Sequence, residues 1–298
     1  LSLCGALCYA ELAAMFPKSG GDYVYLTTTY GAFWGFLFGW TKLFVERTGT
    51  IAVLGVVFAE YLGRVVPVET STQRWIAAGV IALLTGVNVL GVRWAARVQN
   101  VFTGLKIAAL VGLIAVGIQA AIAGRTVALT WAPPPFSPTL LSSMGVALVF
   151  VLWTYGGWTE AAYVAEEIRD PTRNVPRAIF LGLALTTALY LLVNWSYLAL
   201  IPTDQLPHTP LVASRVMSQV WGAWGAAVMA SLIACSAFGA LNGYILTGAR
   251  ILYAMGNDHP LFGRLATVHP RFRTPALALW ANTAIAIGLV CTKTFEQI

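Results

Sequence analysis

Trp153-Thr154-Tyr155-Gly156-Gly157-Trp158 lies inside an apolar run long enough to cross a bilayer. Two adjacent glycines weaken a helix by about 1 kcal/mol each relative to alanine. In hydrocarbon the penalty grows, because a broken helix frees N–H and C=O groups that have no water to pair with. Such a break is tolerated where it is buried in protein or lines a cavity. Freed carbonyls around Trp153–Gly157 can accept from an ammonium. A half-helix starting near Trp158 would point its positive dipole end at a bound anion. Glycine at 156 and 157 lets a ligand approach the main chain. The other reading is a close helix crossing lined by small residues.

The remaining chemistry-bearing groups are few. Lys106 falls inside an apolar run, where an ammonium is unfavourable by a few kcal/mol unless paired, deprotonated or snorkelled to the interface. Glu160 lies just past the glycine break, where it could face a cavity, favour a cationic ligand or carry a proton. Asn242 sits between Gly239 and Gly243 in an apolar segment, and a buried amide needs partners. Lys42 and Glu46 are spaced to pair on one helix face, with Arg47 next to them. Glu11 reads as polar glue inside a bundle. Glu166, Glu167, Arg169, Asp170, Arg173 and Arg177 follow the break as a charged cluster, either a gate clamp or a solvated loop.

Cys4 and Cys8 share a helix face, but no histidine or third cysteine is near them, and His208, His259 and His269 have no ligand spacing to one another. No metal and no cofactor are expected. His-Glu-x-x-His, Gly-x-Ser-x-Gly and paired intramembrane aspartates are all absent from the sequence, which argues against a membrane enzyme. A channel would want a polar or charged pore lining, and few charges fall in the apolar runs.

The elements that must position these groups are membrane helices. Hydrophobic residues make up 58% of the 298-residue chain and charged ones only 10%, with mean hydropathy +0.74. Soluble domains carry roughly 25% charged residues. Runs of roughly 20 apolar residues mark spans. They fall at about Leu1–Phe16, Ala32–Leu62, Trp75–Val92, Val101–Ile122, Leu140–Ile168 (broken at the glycines), Ile179–Ile201, Trp221–Met255 and Ala276–Cys291. The linkers are short and proline-marked, so residues 1–298 form a single transmembrane domain. Pro176 suits the start of the sixth span. Loops of one parity hold Lys18, Arg93 and Arg97, Arg169 to Arg177, and Arg264 to Arg273. Those of the other hold Arg64 and Arg74, Arg125, Arg215 and Lys293. The richer set is expected on the cytoplasmic side. The net charge of +6 is thus topological and no sign of nucleic-acid binding.

Several segments read together. Cys4-Gly5-Ala6-Leu7-Cys8-Tyr9-Ala10-Glu11-Leu12 runs into Phe16-Pro17-Lys18-Ser19-Gly20-Gly21-Asp22-Tyr23-Val24-Tyr25. Tyr30-Gly31 follows, then Arg97-Val98-Gln99-Asn100 and Lys106. The glycine break leads to Glu166-Glu167-Ile168-Arg169-Asp170-Pro171 and Arg173-Asn174-Val175-Pro176-Arg177, and Phe238-Gly239-Ala240-Leu241-Asn242-Gly243 closes the set. In this order the pattern resembles the amino acid–polyamine–organocation permeases, and within them the L-type amino acid transporter branch.

That resemblance implies an all-α integral membrane protein with an inverted-repeat fold, five helices plus five inside twelve. This chain would cover about helices 2–9, without the first helix, whose unwound segment holds the substrate carboxylate in the family, and without the C-terminal helices. An internal echo fits the repeat: Tyr30-Gly31-Ala32-Phe33-Trp34-Gly35 opens the second span and Trp221-Gly222-Ala223-Trp224-Gly225 the seventh.

By the same resemblance, substrate contacts are expected at Trp153, Thr154, Tyr155, Gly156 and Gly157, with Trp153 an aromatic gate or else a lipid-facing or core ring. Asn242 is expected near substrate, or alternatively as a helix–helix hydrogen bond, with Phe238 one turn before it. Thr50 and Ile51 match the third-helix wall. Lys106 occupies the place where sodium-coupled relatives bind the ion, so it is expected as a fixed surrogate cation or a proton carrier, Glu160 being the other proton-coupling candidate.

The implied function is sodium-independent secondary transport of amino acids, neutral ones first, by alternating access, as an exchanger or proton symporter. A cationic amino acid or polyamine permease is the alternative. The loop at about Val66–Arg74 has no cysteine. In animal relatives a cysteine at that point joins a glycoprotein heavy chain, so no disulfide-linked partner is expected. The implied picture is a prokaryotic-style, stand-alone carrier in the cell membrane, of bacterial inner-membrane type.

Overall fold

The structure is a computed structural model. It describes residues 1–66, 68–124, 137–209 and 212–292, with only the backbone of Thr70, Trp153 and Ala223. The described residues are helical, with no strand among them. In chain order the helices are α1 (Ser2–Met15), α2 (Asp22–Tyr30), α3 (Ala32–Thr41), α4 (Arg47–Gly63), α5 (Thr70–Val89) and α6 (Val92–Ile122). Then come α7 (Pro138–Thr154), α8 (Glu160–Tyr163), α9 (Pro171–Leu200), α10 (Val212–Asp258) and α11 (Ala276–Thr292). Arg125, Pro133 to Pro135 and Lys293 lie outside the described residues.

Three helices are each long and apolar enough to cross a membrane alone: Val92–Ile122, Pro171–Leu200 and Trp224–Asp258. Ser2–Met15, Pro138–Leu152 and Ala276–Thr292 are shorter apolar helices. The expected span Ala32–Leu62 is a rod interrupted once. Between α3 and α4, Lys42–Glu46 forms a π-helical turn, in which the Arg47 N–H bonds the Lys42 carbonyl. Such turns mark functional places in helices, and this one sets Glu46 and Arg47 side by side.

Other boundaries differ from expectation. Segment 22–30 is helical, buried at Tyr23 and Tyr25 and exposed over its last three residues. The sixth span begins at Pro171, after Asp170 in the left-handed region, and holds Pro176 inside it. Its first position suits proline, whose missing N–H is one that has no helical partner anyway. Past the break, the expected half-helix is a single turn, Glu160–Tyr163, followed by a 3₁₀ turn at Ala165–Glu167. Four residues sum to a small dipole, so dipole support for an anion there is slight.

Three buried clusters hold the bundle. The largest joins α4, α5, α10 and α11 through Ile51, Ile81, Leu84, Leu241, Ile245 and Leu279. A second joins α6, α9 and α10 through Leu113, Val193 and Met229, and a third packs α1, α8 and α9 through Ala6, Ala162 and Ile179. α7 leaves Leu141, Met144, Val146, Val149 and Phe150 uncovered, as hydrocarbon permits and water does not.

Two hinges share one geometry. Gly31, between α2 and α3, has φ 96°, and Gly222, inside α10, has φ 62°. These values suit glycine because an added Cβ would crowd the backbone. A Cβ on Gly35 would strike Thr27, and one on Gly225 would strike the Met217 carbonyl. In each case the glycine receives the chain from before its own hinge.

Candidate substrate site at the broken helix

α7 stops at Thr154 and α8 starts at Glu160, so Tyr155–Thr159 is the break that Gly156-Gly157 suggests. Gly157 takes φ 97°, a conformation that side chains resist. The Trp158 and Thr159 N–H groups meet no backbone acceptor among the described residues. The opened turn is held by aromatic packing. Trp158 stands edge-on to Tyr9 at 5.1 Å and fits over Gly5, whose added Cβ would lie 3.1 Å from the indole. Tyr155 stands edge-on to Tyr190 at 5.2 Å, and the Tyr190 hydroxyl reaches the Thr154 carbonyl at 3.4 Å.

The break opens onto a cavity of about 480 Å³, within the range typical of small-molecule sites. Thr154, Tyr155, Gly156, Gly157, Trp158 and Glu160 form one wall. Gln99 and Lys106 come from α6, Gly182, Thr186 and Tyr190 from α9, and Ala240, Gly243, Tyr244 and Thr247 from α10. Each helix contributes a stripe at helical spacing. Gln99 and Lys106 are seven apart, and residues 240, 243, 244 and 247 fall on one face.

Of the expected residues, the cavity collects Thr154, Tyr155, Gly156, Gly157, Lys106 and Glu160. The Trp153 side chain lies outside the described residues. Asn242 does not line the cavity. It is fully buried, donates to the Ala95 carbonyl at 3.1 Å and to Gln99 Oε1 at 3.0 Å, and accepts from Asn88 at 2.9 Å. Here it makes the helix–helix hydrogen bonds of its alternative reading. Phe238 stacks with Phe102 at 4.5 Å and Phe58 at 5.7 Å, and Thr50 is half-buried on α4, both away from the lining.

Sequence reasoning missed the partner of Glu160. Arg47, 1% exposed, donates from Nη2 to Glu160 Oε1 at 2.8 Å. Its guanidinium lies 5.0 Å from the ring centroids of both Tyr163 and Tyr244, and its Nη1 is 3.4 Å from Thr247 Oγ1. Lys42 and Glu46 form the expected pair at 3.1 Å, and Glu46 also stands 3.4 Å from Arg47 Nε.

A second polar cluster fastens α2 beneath the break. Tyr163 donates to Asp22, Tyr23 donates to Asp258 at 2.9 Å, and Arg250 pairs with Glu167 at 2.8 Å. Burial, with Asp258 beside it, pushes the Tyr23 hydroxyl well above the usual phenol range, so it remains a neutral donor. Of the expected charged cluster, Glu167 alone makes an ion pair among the described residues.

The amino acid permease family model matches residues 1–295. The chain belongs to the amino acid permease family. It is 35% identical over 99% of its length to the mouse Asc-type amino acid transporter 1. It is 33% identical over 98% to the human b(0,+)-type amino acid transporter 1, and 35% over 94% to the human large neutral amino acids transporter small subunit 2. The chain spans 57%, 59% and 53% of those relatives. This permease is therefore a multi-pass membrane protein of the amino acid–polyamine–organocation superfamily, and these relatives are named as transporters.

Proposed function

We propose that this permease is a sodium-independent secondary transporter of neutral amino acids, working by alternating access around the broken helix. The observation that carries the reading is the cavity itself. It joins opened backbone at Tyr155–Thr159 to a lysine, Lys106, with Glu160 the one carboxylate among the described lining residues. An amino acid presents a carboxylate, an ammonium and one variable side chain, and a break flanked by hydrogen-bonding side chains suits the first two.

Lys106 supplies the positive charge that sodium supplies in coupled relatives. The matched hinges at Gly31 and Gly222 support two structurally repeated halves, the inverted-repeat architecture that alternating access uses. The basic loop set, with α2 and its clamp, is placed at the cytoplasmic face. The loop at about Val66–Arg74 has no cysteine, and the carrier is proposed to work without a disulfide-linked heavy chain.

A cationic amino acid or polyamine permease is the second reading, favoured by Glu160 facing the cavity. Arg47 weighs against it, because it already neutralises that carboxylate.

The test is uptake of a labelled neutral amino acid into sodium-free liposomes holding the full-length protein, with and without internal amino acid and with and without a proton gradient. Uptake without sodium is expected. An absolute sodium requirement would overturn the role of Lys106, and no amino acid uptake under any condition would overturn the carrier reading. Uptake that needs internal amino acid marks an exchanger; uptake driven by the gradient into empty vesicles marks a symporter.

A further inference from the structure

Glu160 shows the cavity only part of a carboxylate. Its Oε1 is held by Arg47 at 2.8 Å, while its Oε2 is enclosed without a hydrogen-bond partner. Arg47 is not part of the lining, yet it fixes the charge of the residue that is. Its own surroundings allow no escape: it is 1% exposed, and its guanidinium is bracketed by Tyr163 and Tyr244. A guanidinium cannot discharge by losing its proton, and a buried one left alone is strongly unfavourable. The Arg47–Glu160 pair is therefore held together. Glu46, the other carboxylate near Arg47, is engaged by Lys42.

The charges then sum simply. Arg47 cancels Glu160, Lys42 cancels Glu46, and Lys106 is left as the net charge in the cavity lining. A zwitterion has its own carboxylate to offer Lys106, and its ammonium can meet backbone carbonyls at the opened turn Tyr155–Thr159. A substrate with a further cationic side chain adds a positive charge that finds no uncancelled carboxylate among the described lining residues. Charge discrimination of this kind works by leaving the wrong ligand's charge unpaired.

We propose that Arg47 is a specificity-determining positioning residue, which acts through Glu160 to restrict the cavity to substrates without a cationic side chain. This rests on the neutral amino acid carrier reading and names the pair that enforces it.

The test compares labelled lysine with labelled alanine uptake into liposomes bearing the full-length protein. Arg47→Gln keeps a hydrogen-bond donor near Glu160 but removes the charge. It is expected to raise the lysine-to-alanine ratio by about tenfold or more. Glu160→Gln should not raise it, and Arg47→Gln combined with Glu160→Gln should return it to the wild-type value. A merely structural pair would lower both uptakes together and leave the ratio flat in every variant, which would overturn the proposal.

If Arg47→Gln does not fold, competition in the wild type decides. Lysine at about hundredfold excess should leave alanine uptake unchanged, and lysine competing as well as a neutral amino acid would overturn the assignment. Equal wild-type transport of lysine and alanine sinks the selectivity role alone, whereas a wild type that moves no amino acid sinks the carrier reading beneath it.

Discussion

Tyr163 and Asp22 stand 141 residues apart in the chain and are joined by a 2.5 Å hydrogen bond from the tyrosine hydroxyl to the carboxylate. The same tyrosine's carbonyl accepts from the Gly20 N–H at 3.2 Å. The far end of the broken helix is thereby fastened to the start of α2. Gly21 makes the approach possible: it has φ 49°, and an added Cβ would lie 2.8 Å from the Tyr163 ring.

Tyr163→Phe leaves the ring and removes one charge-assisted hydrogen bond. A loss of about 1.5–3 kcal/mol is expected, read as a lowered thermal midpoint of the purified protein. Gly21→Ala should lower it by a similar amount, about 1–3 kcal/mol, through overpacking against that ring.

The clamp has one pair whose loss is more severe. Arg250 is 3% exposed and pairs with Glu167 at 2.8 Å. Glu167→Ala strands a buried guanidinium and should destabilise by about 3–5 kcal/mol. Glu166→Ala, on the exposed neighbour, should stay within about 0.5 kcal/mol of the wild type. Thermal unfolding of the two variants side by side checks both.

Asn242 separates a structural amide from a substrate contact. Asn242→Ala removes one hydrogen bond from buried Asn88, which keeps the Leu84 carbonyl, and one from half-buried Gln99. It should cost about 1–3 kcal/mol of stability while the KM of the folded fraction stays near wild type. A large KM rise with an unchanged thermal midpoint would assign Asn242 to the substrate.

Much of this was legible in the sequence, and the limits are instructive. Composition and apolar runs reveal a membrane bundle because hydrocarbon imposes one pattern on every span. The Gly156-Gly157 break is legible because its cause is local. So is the pair Lys42–Glu46, set by one helical turn. Asp22–Tyr30 is harder to see as a helix, since it is short, threonine-rich and held by tertiary contacts. The pairing of Arg47 with Glu160, 113 residues apart, depends on how two helices are rotated against each other. The same rotation decides that α10 shows the cavity Gly243, Tyr244 and Thr247, and turns Phe238 and Asn242 toward neighbouring helices. Of the missed lining residues, Gln99 had a signal: it lies seven before Lys106, on the same helix face.

Lys106 carries its own prediction. Lys106→Met removes a charge from an apolar helix and should leave the thermal midpoint equal or higher. Transport is expected to fall by about tenfold or more, since the cavity loses its net cation. Retained uptake at the wild-type rate would contradict the surrogate-cation role.

The central claim is that substrate occupies the cavity at the broken helix. Gly182 lines it, and an added side chain there meets nothing within 4 Å. With every native cysteine of the full-length protein replaced by serine, Cys4, Cys8, Cys235 and Cys291 among them, Gly182→Cys carries the sole thiol, and its rate of reaction with a water-soluble maleimide can be followed in transport-active liposomes. A saturating neutral amino acid should slow labelling by about tenfold or more, while Gln219→Cys, in a separate cavity lined by Val116 and Leu200, should be unaffected. Labelling at Gly182→Cys that ignores a transported amino acid would contradict the account.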